Sequence, residues 1–208
     1  MLSAIAVLDD NLISVIVFNI LRGDKMDIFS LPLILLYSAL FGLTMKIADL
    51  FDEHKMRWFK GDALLFGFLW GIFGILLVLS RADIANVTLA MILAFVVRMR
   101  IDYRNHAIAT VMIIIAFLWK STFDLIIFSI FFLSFLIFGW LRDYLGDIRQ
   151  KKDWLYKINE PAWYYIILPA IYGIFSNNWI IFFVFTIYII FYDFAKYSLF
   201  YMKKYSEL

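Results

Sequence analysis

Long apolar stretches broken by short charged loops recur along this chain. Eight can be counted, at about 2–21, 28–48, 62–80, 83–98, 106–119, 123–142, 162–176 and 178–200. Runs of this length and polarity read as helices that use lipid as solvent, since a span needs roughly 20 apolar residues. The prediction is an all-α, polytopic integral membrane bundle. The stretches 106–119 and 162–176 are short for a bilayer. The first carries Asp9 and Asp10 near its middle, so it either spans or lies at the interface as an amphipathic or re-entrant segment.

Loop charge orients the count. Lys46, Lys55, Arg57 and Lys60 surround the end of the second stretch, and Arg98, Arg100 and Arg104 that of the fourth. Arg142, Arg149, Lys151, Lys152 and Lys157 follow the sixth, and Lys203 and Lys204 the eighth. The alternate loops hold only Arg22 and Lys25, then Arg81, then Lys120, and no cation in 176–178. By the positive-inside rule this places both termini in the cytoplasm, with eight spans between them. The expected setting is a multi-pass protein of the cell membrane. One transmembrane domain would cover 1–208, divisible into four-helix halves of about 1–105 and 106–208.

Composition agrees with lipid as the solvent. Hydrophobic residues are 64% of the chain and aromatic ones 20%. Mean hydropathy is +0.86, whereas soluble domains are about 45–50% apolar. A net charge of +2 is too small to argue for a nucleic-acid partner. The absence of cysteine excludes disulfides, thiolate metal sites and cysteine nucleophiles.

Two acidic clusters then stand out, because carboxylates near lipid are costly. Asp49, Asp52 and Glu53 end the second stretch at helical spacing i, i+3, i+4, so they share one face. Asp143 and Asp147 end the sixth at i, i+4, with Gly146 leaving room beside them. Like charges that close need a cation or a basic ligand among them. Oxygen donors favour a hard ion such as Mg²⁺, which takes one or two carboxylates plus substrate phosphates. Taken singly, each cluster also reads as ordinary interfacial charge. Their matching positions in the two halves point to one shared metal or phosphate site.

On these residues the chain resembles the UbiA superfamily of intramembrane prenyltransferases, all-helical enzymes with two aspartate-rich motifs at the cytoplasmic ends of their second and sixth helices. The first family motif reads N-D-x-x-D-x-x-x-D. Asp49 and Asp52 match it, with Ala48 and Met56 at the first and last positions. The second reads D-x-x-D-x-x-G-D. Asp143, Gly146 and Asp147 match it, with Trp140 at the leading position. The family usually has nine helices against the eight counted here. The resemblance implies transfer of an isoprenyl group from its diphosphate to an acceptor, with Asp49, Asp52, Asp143 and Asp147 as catalytic Mg²⁺ ligands. Glu53 or Asp153 could stand in for a lost ligand. Arg57, Lys60, Arg98, Arg100 and Arg104 would then bind diphosphate oxygens, and aromatic rings would line a dry pocket for an allylic cation.

Other residues leave alternatives open. Asp9, Asp10 and Asp193 could line the path of a transporter or channel. The same fold without catalysis would be a lipid-binding protein. Asp102, Arg104, Asn105 and His106 make a polar patch, in which His106 reads as a hydrogen-bonded helix-end residue or, less simply, as a proton acceptor. Trp154, Trp163, Tyr164 and Tyr165 read as an interfacial belt. The topology is directly checkable in a chain without cysteine. Lys60→Cys and Arg104→Cys should be labelled by an impermeant maleimide from one face of sealed vesicles, and Lys120→Cys and Asn177→Cys from the other. Labelling of all four from the same face would discard the span count.

Overall fold

A computed structural model describes residues 28–53, 55–149, 154–159 and 164–206. The stretch 2–21, with Asp9 and Asp10, lies outside the described residues, as do His54 and Asp153. The described chain is helical: α1 (Leu31–Glu53), α2 (Asp62–Ser80), α3 (Ala82–Val97), α4 (Arg104–Lys120) and α5 (Leu125–Asp143), a π-helical turn (Tyr144–Ile148), then α6 (Trp154–Asn159), α7 (Tyr164–Ser176) and α8 (Ile180–Ser206). The seven stretches predicted from 28–48 onward each coincide with a helix. The short α6 was not anticipated.

Among the described residues, four segments are long and apolar enough to cross a membrane: Leu31–Asp52, Asp62–Ser80, Leu125–Gly146 and Ile180–Leu199. Ala82–Val97 and Tyr164–Ser176 are shorter apolar helices. Large apolar side chains stand outward around the bundle, among them Ile115, Leu118, Trp119, Ile137 and Phe175. That is the surface expected of helices solvated by hydrocarbon, and it would be costly in water.

Local chemistry sets the helix ends. Pro32 sits in the first turn of α1, where its missing N–H costs nothing. Asp62, buried at the start of α2, ties the preceding loop to the helix by accepting from the N–H groups of Trp58 and Phe59, and it also meets that of Ala63. Asp124 caps α5 through the N–H groups of Ile126 and Ile127. Its own N–H reaches the buried Asn86 of α3, whose amide donates to the carbonyls of Ala82 and Thr122. Asp83, held by Arg81, accepts from Asn178 ahead of α8. These bonds tie together one end of the bundle.

Helices in lipid gain little from the hydrophobic effect between themselves, so close approach through small residues matters. α2 supplies Gly67, Gly71 and Gly74 to one face. Their open sides meet Asn105, then Ala109 and Met112, then Ile113 of α4. α1 lies against α8 in the same way: Ser38 donates to the carbonyl of Val184, and Gly42 abuts the backbone of Tyr188. α3 packs on α5, and α7 on α8. Phe41, Trp70, Ile84, Phe131, Phe135 and Ile181 fill the centre. The contacts α1–α8, α2–α4 and α3–α5 all cross the 105/106 position.

A methyl group added at Gly42 would overlap the Tyr188 carbonyl, which cannot yield without moving α8. Gly42→Ala should therefore cost about 1–3 kcal/mol, the usual scale for overpacking. Thermal unfolding of the purified chain reads this as a lowered midpoint. An unchanged midpoint would mean α1 and α8 are not in contact there.

Candidate functional site

At the end of the bundle away from the Asn86 cluster, helix termini from across the chain surround a cavity of about 230 Å³. Asp49, near the end of α1, is on its wall. So is Asp143, the last residue of α5. The two carboxylates that sequence placed at matching helix ends thus face one space.

Neither is isolated. Asp49 is buried, and its Oδ1 lies 2.7 Å from Nε2 of His106. Its Oδ2 accepts from the Tyr192 hydroxyl at 3.2 Å and faces the Lys46 ammonium at 3.4 Å. Lys46 sits one turn earlier on the same face of α1, and its Nζ also stands 5.1 Å from the centre of the Tyr192 ring. Asp143 is gripped by two arginines. Arg98 donates from Nε and Nη2 at 2.8–3.0 Å, and Arg100 approaches Oδ1 at 2.6 Å. Such forked pairs fix geometry as well as charge.

A local backbone feature delivers these arginines. α3 ends in a Schellman turn, in which the N–H of Arg100 reaches the Phe95 carbonyl and that of Met99 the Val96 carbonyl. Met99 occupies the left-handed position, φ 57°, where glycine is usual. The turn brings Arg98, Arg100 and Asp102 together on the cavity wall. It also aims the Arg100 carbonyl at Nδ1 of His106, 3.1 Å away. Both ring nitrogens of His106 therefore face oxygens that accept, from Arg100 and Asp49. Held at both nitrogens, His106 braces Asp49. Trp70 meets its ring edge-on.

Among the described residues, five Lys and Arg side chains line the cavity (Lys46, Arg98, Arg100, Arg142 and Lys196) against the four acids Asp49, Asp102, Asp143 and Asp193. With His106 beside Asp49, the balance favours an anionic occupant. Two donors buried behind this wall, Trp70 Nε1 and Arg98 Nη1, have no hydrogen-bond partner, the second being packed against Gly139. Leaving such groups unpaired costs about 1–3 kcal/mol each. Tyr165 and Tyr188 line the cavity too, and both are buried. Tyr164 and Tyr165 were expected at the interface. They instead pack in a core of rings with Phe135 and Phe185, because that face of α7 meets other helices and not lipid.

The remaining predicted residues divide. Asp52 is half-buried and off the cavity wall. Asp147 falls in the π-helical turn, and its side chain lies outside what the structure describes. Arg57, Lys60 and Arg104 are exposed and off the wall; Arg98 and Arg100 are on it. Lys46, Arg142, Lys196 and Tyr192 were missed as ligand-facing residues. Lys46 was legible as the i−3 partner of Asp49, Lys196 as the i+3 partner of Asp193 and Arg142 as the neighbour of Asp143; nothing in the local sequence marked Tyr192. Mg²⁺ fits poorly here. Every oxygen of Asp49 and Asp143 already meets a protein donor.

Compared with protein-family models, curated proteins and solved structures, the chain matches none.

Gly139 makes room for the Arg98 guanidinium, which a Cβ at that position would overlap. Arg98 has little freedom to turn elsewhere, its side chain being 2% exposed. Asp143→Asn should therefore cost about 1–3 kcal/mol by leaving that cation unmatched. The double change Arg98→Met with Asp143→Leu should recover part of the loss. Simple additivity in a thermal-unfolding cycle would dissolve the pair as a stability element.

Proposed function

We propose that this chain is an intramembrane transferase resembling the UbiA superfamily, which moves an isoprenyl group from its diphosphate to an acceptor. One observation carries the reading: Asp49 and Asp143, from opposite halves of the sequence, share a cavity whose wall is rich in Lys and Arg. The proposal includes eight spans with both termini cytoplasmic, which puts this cavity on the cytoplasmic side of the cell membrane. A volume of about 230 Å³ suits a compact head group better than a whole lipid, since pockets for drug-sized ligands run from about 300 Å³. The isoprenoid tail would leave between helices into lipid.

In that reaction the bond from the allylic carbon to the bridging oxygen breaks, and its electron pair stays with the diphosphate. Lys46, Arg98, Arg100, Arg142 and Lys196 stabilise the charge that develops there. The rings of Tyr165, Tyr188 and Tyr192 at the same cavity offer negative faces to the allylic cation. The acceptor then bonds to that carbon, and its proton passes to the departing diphosphate. Asp49 and Asp143 hold the cations that do this work.

Purified protein given a long-chain isoprenyl diphosphate and a mixture of candidate acceptors should release diphosphate. Asp49→Ala and Asp143→Ala should each lower the rate at least about a hundredfold, the scale of losing positioned electrostatic stabilisation. Wild-type rates in both variants would defeat the transferase reading. Substrate flux in vesicles that survives both changes but is lost in Asp193→Asn would put the transporter reading in its place, because Asp193 also lines the cavity.

A further inference from the structure

We infer that the cavity recognises a diphosphate head group with the chain's own cations, and that Asp49 and Asp143 act there as counter-ions that position those cations, not as Mg²⁺ ligands. The inference rests on the head-group reading of the cavity given above.

Magnesium bridges a carboxylate to a phosphate by taking a lone pair from each. That requires carboxylate oxygens turned toward the ligand. Asp143 presents none. Its Oδ1 and Oδ2 are filled by Arg98 and Arg100 at 2.6–3.0 Å. Asp49 is no more open, with His106 on one oxygen and Tyr192 and Lys46 on the other. To reach either carboxylate a metal would have to part it from its cations and leave them unmatched in a buried place, which is costly.

What the wall offers instead is donors. Arg98 is spent on Asp143 and packed against Gly139, while Arg100, which also holds Asp143, lines the wall with Lys46, Arg142 and Lys196. The carboxylates thus set the direction of Arg98 and Arg100, and the cations that line the wall meet the anion. A guanidinium fork suits phosphate oxygens directly.

The two arrangements differ in sign, which makes them separable. If Asp143 were a metal ligand, it would repel an anion whenever metal is absent, and neutralising it would strengthen metal-free binding. If Asp143 orients Arg98 and Arg100, neutralising it weakens that binding. Calorimetric titration of the full chain in nanodiscs with inorganic pyrophosphate reads this directly. Wild type should bind in EDTA at least as tightly as in excess Mg²⁺, which competes for the anion in solution. In EDTA, Asp143→Asn should bind about tenfold more weakly, a difference of about 1.4 kcal/mol. Should that variant not fold, Arg98→Lys keeps the charge, loses the fork, and should show a similar loss. Binding that appears only with Mg²⁺, or that tightens in Asp143→Asn, overturns the inference and leaves the transferase reading standing. No binding in either buffer overturns both. Metal-free binding by a protein that never releases diphosphate from an isoprenyl substrate keeps the inference and removes the transferase.

Discussion

A charge sunk among apolar helices has to meet an opposite charge, and the organisation of this molecule follows from that requirement. Asp49 is buried at the end of α1 and draws in Lys46 from its own helix, His106 from α4 and Tyr192 from α8. Asp143 draws in Arg98 from α3 and Arg100 from the turn beyond it. Five helices are thereby pinned at one end of the bundle by electrostatics. The low dielectric that makes an unpaired group there so costly also strengthens each completed pair.

The apolar part of the chain makes such an arrangement affordable in space. Where Gly67, Gly71 and Gly74 let α4 press onto α2, and Gly42 lets α8 press onto α1, helices meet backbone to side chain without filler. The charged ends of α3 and α5 can then converge over a floor of rings, including Tyr165, Tyr188 and Phe95. Close packing of this kind resists deformation, which holds the side chains of the wall in place. Preorganised donors of that sort stabilise developing negative charge without having to move.

Two carboxylates at paired helix ends invite the assumption of a metal between them. The partners found here support a different division of labour, in which acids orient bases and bases face the ligand. His106 illustrates it. As one polar residue in an apolar chain it could be taken for a catalytic base, yet both its nitrogens are spent on Arg100 and Asp49. A ring held from both sides in this way is a brace.

Apolar run length, set against helix rise and bilayer thickness, determined the helices from 28–48 to 178–200. Short-range spacing determined that Asp49 and Asp143 end two of them. Spacing of that kind relates residues within one helix and is silent about the neighbour a helix will face. Which charges meet was therefore decided only in three dimensions. Arg57, Lys60 and Arg104 looked as suitable as Arg98, but crossing and close approach of the helices left them exposed, while Arg142 and Lys196 were carried onto the wall beside Asp49 and Asp143. Tyr165 moved from an expected interface to the interior for the same reason. A tyrosine in an apolar run suits either place, and the partner of α7 settles which.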